Sequence, residues 1–534
     1  MPKTAPVDPQ YIVEIVAKGY AFTGPCLELG AVVVDSTAYP AGPVRIPFSM
    51  MNRHGLVAGA TGTGKTKTLQ LMAEQLSAAG VPVFLADVKG DLSGMSVAGV
   101  ANDKITARAT DIGQRWVPTT YPLEYLALGG EGAGVPVRAT ITSFGPILLS
   151  RVLGLNRTQE SSLQLVFHFA DTNGLALLDL KDLRSVIQFL VSDEGKPQLN
   201  ALGGLSKATA GVILRELLTF EAEGMEKFFG EPEFDSAQLL RTAPDGRGIV
   251  TCLELPSLQD RPALFSTFLM WLLADLFQEL PEVGDVDKPK LVFFLDEAHL
   301  LFTGASKAFL ASITQTVRLI RSKGVGVFFV TQTPKDVPDD VLAQLSNRVQ
   351  HALRAFTPDD AKALKATVST FPKSAYDLIE VLPACGIGEA VVTVMSERGA
   401  PTPVAWTRMR APSSLMGPAD PASIAATVAA SPLSAQYGVA VDRASAYEAL
   451  AARMAPAPPP LAERPPSQVQ TTAGGVEVPQ LPPMSERPPD SGLEAAMGNP
   501  VVKAVAVTAA TAITRQIFRG LFGTASRTTR RRRR

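Results

Sequence analysis

The chain has 534 residues, 46% of them hydrophobic, and 50 basic against 51 acidic side chains give a formal net charge of −1. That length fills two or three domains around a sizeable core, and the charge balance offers no broadly basic surface, so composition neither favours nor excludes nucleic acid. Three cysteines (Cys26, Cys252, Cys385) and four histidines (His54, His168, His299, His351) lie scattered without metal-ligand spacing, so neither a disulfide framework nor a structural zinc is expected.

The opening MPKTAPVDPQ lacks the basic start and apolar run of a signal peptide, no stretch of about 18 uncharged apolar residues follows, and a cytoplasmic location is expected. Residues 11–50 read as short strands, from the β-branched runs YIVEIV and AVVVD, so 1–50 is predicted to be a short β-rich N-terminal region. From 51 to 410 apolar runs alternate with helical stretches: HGLVAGA, a helix through LQLMAEQLSAAG, VPVFLADVKG, then GIVTCLEL, LVFFLDEAH, GVFFVTQT and HALRAF. Alternation of this kind predicts an α/β fold with a mainly parallel sheet covered on both faces. Between about 145 and 240 helical patterns dominate, as in SSLQLVFHFADTNGLALLDLKDLRSVIQFLV, and a helical insertion is expected there.

Gly59-Ala60-Thr61-Gly62-Thr63-Gly64-Lys65-Thr66 satisfies G-x-x-x-x-G-K-[ST] in full, between the apolar Leu56-Val57-Ala58 and a helix. Its glycines let backbone N–H groups turn toward phosphate oxygens, and the helix N-terminus adds partial positive charge. Lys65 is expected to reach the β- and γ-phosphates of ATP and Thr66 to bind Mg²⁺, with Lys67 completing the nucleotide contacts. Asp87 closes the strand VFLA and is a candidate for the metal or water network, against an ordinary turn-forming role.

The run Leu291–Leu295 followed by Asp296-Glu297 places two carboxylates at the C-terminal end of a buried strand, where open α/β sheets keep their ligand sites. Asp296 is expected on the magnesium side and Glu297 as the base that orients water; capping of the next helix is the plainer alternative. His299, two residues on, is expected only to pack or cap. Arg318 and Arg321 share a helix face and are candidate arginine fingers between subunits, with Arg348 a weaker one, while Gln332 ends a strand where its amide can sense the γ-phosphate.

Past 411 the composition turns to Ala, Pro and Ser, and a disordered linker is expected through 495. Residues 496–534 follow as an expected helix over about 500–522 and a tail ending in Arg530 to Arg534.

These motifs together resemble the HerA/FtsK superfamily of P-loop ATPases, and within it the bacterial HerA-like proteins. GATGTGKT (59–66), DVKGDLSG (87–94), RVLGLNRTQE (151–160), LVFFLDEAH (291–299), RSKG (321–324) and FFVTQTP (328–334) carry the resemblance over about 50–410. It implies a RecA-like fold, a catalytic glutamate at Glu297, and a hexameric ring with fingers at Arg321 first and Arg318 second. Two functions are therefore expected. One is a ring-forming ATPase that translocates or unwinds double-stranded DNA. The other is an ATP-dependent switch or scaffold that engages a protein partner or an anionic membrane surface through the C-terminal tail.

Overall fold

Uninterrupted apolar strands such as LVFFL suit only a sheet buried on both faces, and the chain supplies enough of them to build a wide one. The computed structural model describes residues 8–200, 204–255, 262–302, 305 and 307–454. The expected tail helix and the arginine run lie outside those residues, as does the linker beyond 454.

Twelve strands form one sheet: β1 (Cys26–Val34), β2 (Thr37–Pro47), β3 (Gly55–Ala58), β4 (Val83–Asp87), β5 (Leu123–Leu128), β6 (Val135–Val137), β7 (Val250–Glu254), β8 (Leu291–Leu295), β9 (Val325–Thr331), β10 (Asn347–His351), β11 (Glu389–Thr393) and β12 (Ala405–Met409). Their order is β2-β1-β12-β11-β10-β3-β9-β8-β4-β7-β5-β6. The eight strands from β10 to β6 run parallel, and β11, β12, β1 and β2 add an antiparallel flank. Burying both faces gives two large core layers, beside a smaller third cluster around Val33, Leu382 and Trp406 at the antiparallel flank. One layer gathers Phe84, Phe293 and Phe329 with the helical residues Phe144, Phe228 and Trp271; the other gathers Leu69, Met72, Leu85, Phe294 and Phe328.

The helices Ile141–Val152, Arg157–Thr172, Leu180–Val191 and Lys207–Ala222 follow β6 and pack together in the first of these layers. Capping boxes at Asn156 and Asp179 fix where two of them start.

Two expectations are corrected. YIVEIV is not a strand: it lies in the helix Pro9–Gly19, capped by Asp8, with Ile12, Val13 and Val16 buried. Its β-branched residues suit a strand, yet their spacing repeats on one helical face, and burial of that face decides the outcome. Nor does folded chain stop at 410. Helices Pro421–Ala430, Pro432–Tyr437 and Ala446–Met454 follow, and Leu433, Tyr437, Ala446 and Leu450 are buried in the first core layer. Prolines opening the first two of these helices stand where proline is tolerated.

Between β12 and those helices a strap crosses the helix Lys65–Ala78. The buried Glu74 carboxylate accepts the backbone N–H groups of Ser413 (2.7 Å) and Ser414 (2.9 Å), and Gln70 Nε2 donates to Ser414 Oγ at 2.7 Å.

Candidate nucleotide-binding site

The phosphate loop emerges from β3 and is pinned by both neighbouring strands. Gly59 N–H donates to Thr331 O at the end of β9 (3.2 Å), and Ala60 N–H donates to Ala352 O just past β10 (2.8 Å). Gly59 must be glycine, because a Cβ there would stand 2.5 Å from His351 Cβ. Gly64 holds φ +110°, a backbone conformation that side chains disfavour, and delivers the chain into the helix Lys65–Ala78. Thr63 Oγ1 donates to Ala60 O at 2.7 Å and tightens the turn. Gly62 and Thr61 are exposed at its tip, and Thr66 and Lys67 are half-buried on the first helical turn.

Lys65 is buried and folds back on the loop, its Nζ donating to Gly59 O (2.7 Å) and Ala60 O (3.2 Å). Burial pulls its ammonium below the ordinary lysine range, while Glu297 and Asp296 act in the opposite sense. Two carbonyls of the loop itself therefore take up the Lys65 ammonium.

One strand separates the loop from the acids, since β9 lies between β3 and β8. Asp296 is 2% exposed and Glu297 5%. Asp296 Oδ1 accepts Glu297 N–H at 2.9 Å, whereas Oδ2 is buried with no hydrogen-bond partner among the described residues. Burial first, and then the Glu297 charge, push Asp296 up to about 7. A buried carboxylate oxygen left in that state fits a cation, so Mg²⁺ suits this donor set together with the Thr66 hydroxyl and a nucleotide's phosphates.

Glu297 adopts left-handed backbone (φ 46°, ψ 47°), a conformation costing a non-glycine residue roughly 1–2 kcal/mol. Its Oε1 forms a short ion pair with Lys89 Nζ, and His299 Nδ1 lies 3.2 Å from Oε2. Burial raises the Glu297 pKa, but the hydrogen bond and charge of Lys89, with Lys65 behind them, more than offset that and hold it below the ordinary glutamate range. His299, expected only to pack or cap, therefore stands against the Glu297 carboxylate. Lys89 was not among the expected site residues, although it sits inside the quoted DVKG.

Asp87 is where it was expected, at the end of β4, but its carboxylate has other partners. Oδ1 accepts N–H groups from Lys89 (3.2 Å) and Gly90 (2.8 Å), and Oδ2 accepts that of Leu92 (2.8 Å). This is the plainer, turn-forming role, and it aims Lys89 by fixing the backbone that carries it.

Gln332 follows β9, exposed, and with His299, Phe302, Thr333 and Asp336 lines a cleft of about 380 Å³. Asp336 shapes that strand end by accepting Thr331 Oγ1–H (2.6 Å) and Thr333 N–H (3.0 Å). Arg318 and Arg321 are exposed, ahead of β9. Seven strand residues separate Arg321 and its neighbours from Gln332, roughly 20 Å at about 3.3 Å each, so neither arginine is placed at the loop of its own protomer. Arg348 donates to Thr370 Oγ1 at 2.6 Å.

The antiparallel flank braces the loop from the other side, which sequence motifs did not reveal. Gly388 N–H donates to Thr63 O (2.9 Å), and Arg108 holds that turn by donating to Gly388 O (2.9 Å) and Ile387 O (2.8 Å). Beneath it, His351 Nε2 and Thr68 Oγ1 share a 2.9 Å hydrogen bond.

The sequence profile described as helicase HerA-like C-terminal matches residues 34–532. The DNA double-strand break repair helicase HerA of Sulfurisphaera tokodaii is 21% identical over 352 residues, covering 65% of this chain and 64% of that protein. The protein of the same name from Saccharolobus solfataricus is 22% identical over 357 residues, covering 65% of this chain and 63% of that one. The chain thus matches a little under two thirds of the length of these relatives. Among solved structures, plasmid coupling protein TrwB with a non-hydrolysable ATP analogue aligns with 74% of this chain and 98% of its own, at 15% identity and a TM-score of 0.47.

Proposed function

The chain belongs to the helicase HerA-like C-terminal family, and from that premise we propose that it is a magnesium-dependent ATPase working as a ring-forming motor on double-stranded DNA. The observation that carries the chemistry is the placement of a complete phosphate loop one strand away from the buried pair Asp296-Glu297.

In this reading Lys65 leaves the carbonyls of Gly59 and Ala60 for the phosphates, while backbone N–H groups of residues 61–66 bind their oxygens. Thr66 and Asp296 would hold Mg²⁺, which would supply charge neutralisation at those phosphates. Glu297 orients the attacking water and accepts its proton, and Gln332, at the end of the intervening strand, senses the terminal phosphate. The DNA role is supported by the family and by the names of the two relatives.

ATPase turnover measured with and without duplex DNA, on protein whose oligomeric mass is determined in parallel, tests the proposal. Stimulation by DNA, together with DNA affinity that falls steeply between about 50 and 200 mM salt, is the expected result. Turnover indifferent to DNA, with no salt-sensitive binding, removes the motor reading and leaves the ATPase.

A further inference from the structure

A carboxylate that orients water needs an oxygen open to that water, and one of the two on Glu297 is taken up by a lysine. Lys89 Nζ occupies Oε1, whereas Oε2, 3.2 Å from His299 Nδ1, is buried without a hydrogen bond among the described residues. We propose that Lys89 is a positioning residue that restrains Glu297, keeps it from the attacking water, and thereby sets the unstimulated rate of ATP hydrolysis. The inference rests on reading Asp296-Glu297 as the hydrolytic acids.

Three features of the fold make this a built restraint. The carboxylate of Asp87 clasps the N–H groups of Lys89, Gly90 and Leu92, so the Lys89 backbone is fixed and only its side chain swings. Glu297 sits in left-handed backbone that an acidic side chain rarely adopts, and such a conformation persists where surrounding contacts hold it. The two partners also differ in exposure, the Glu297 side chain at 7% and that of Lys89 at 44%. The acid therefore stays in place, while the ammonium is open to competition from another anion.

During hydrolysis the water oxygen bonds to the γ-phosphorus, the bond from that phosphorus to the bridging oxygen breaks, and the water proton passes to Glu297. With Lys89 on Oε1, that proton has no free acceptor oxygen on that side. Release of Lys89 frees Oε1 to accept it and lets the carboxylate turn toward the water.

The test compares wild type with Lys89→Met, which keeps the length of the stem and removes the charge, and with Lys89→Arg, which keeps the charge. Lys89→Met is expected to raise kcat for ATP without DNA by about threefold or more, leave KM within about twofold, and shrink the stimulation by DNA to match. Lys89→Arg should return most of the way to wild type. A Lys89→Met protein that binds a fluorescent ATP analogue normally but turns over at the wild-type rate or slower overturns the proposal, the slower case meaning that Lys89 serves the transition state.

A second measurement does not depend on turnover. In nucleotide-free protein, the melting-temperature shifts of Lys89→Met and Glu297→Gln should be non-additive in the double variant, because each removes the same pair. Additive shifts also overturn it. Failure of wild type to bind the ATP analogue instead defeats the proposed function, an outcome separate from either of these.

Discussion

Glu297 and Asp296 are adjacent and both buried, yet their surroundings push them apart, Asp296 up to about 7 and Glu297 below its usual range. Division of labour between two such acids is what a metal ligand and a water-orienting group require. Glu297→Gln should therefore retain ATP binding while losing turnover by about 10²–10⁴-fold, as equilibrium binding and steady-state kinetics will show. Histidines supply a pH prediction. His54 donates through Nε2 to Val317 O and accepts Val327 N–H at Nδ1, and His351 lies under the phosphate loop. Burial lowers both to about 4. An unfolded chain binds protons below about 6.5 while the folded one does not, so stability falls between about pH 6.5 and 4, by up to about 1.4 kcal/mol per pH unit for each histidine. Asp296 opposes this, because its raised pKa lets the folded protein hold a proton that the unfolded chain releases. Melting temperature followed across that range should fall with pH, and His351→Gln should flatten the slope. Lys65, Asp296 and Glu297 were legible as residues because their motifs are local; the Lys89 contact was not, since it spans 208 positions and depends on how β4 and β8 pair.

Elements were legible wherever a run was long and apolar enough to be buried on both faces. β3, β4, β8 and β9 announce themselves in this way, and they are the strands that place the site. Misreadings fell where propensity and packing disagree. The helix Pro9–Gly19 is rich in β-branched residues, and the helices from Pro421 to Met454 are built of alanine and serine with only a few large side chains to anchor them. Those few anchors matter: Tyr437 packs against Phe234 with ring centroids 5.2 Å apart and is 1% exposed. A chain ending at 410 should melt several degrees below one ending at 454 or become insoluble, since it uncovers Phe234 and its neighbours. Comparing soluble yield and melting temperature of the two chains decides the matter.

At the scale of the molecule, the sheet separates the arginine candidates from the phosphate loop by roughly its full strand length. If Arg318 or Arg321 serves catalysis it does so in another protomer's site, and the proposed ring is then a condition for rapid turnover. Arg321→Ala should leave ring mass and ATP binding intact while reducing turnover by about 10³-fold or more; normal turnover in an intact ring removes Arg321 from that role. The ring is an expectation from the family resemblance alone, because no single chain's periodicity encodes its neighbours. The strap over Glu74 has a different kind of consequence. The helix that begins at Lys65 is gripped nine residues later by the N–H groups of Ser413 and Ser414. A genetic screen for lost ATPase activity should therefore return hits around residue 414, far from every recognisable motif, and a geneticist mapping them along the chain would be tempted to draw a second active site where there is only a hand on the first.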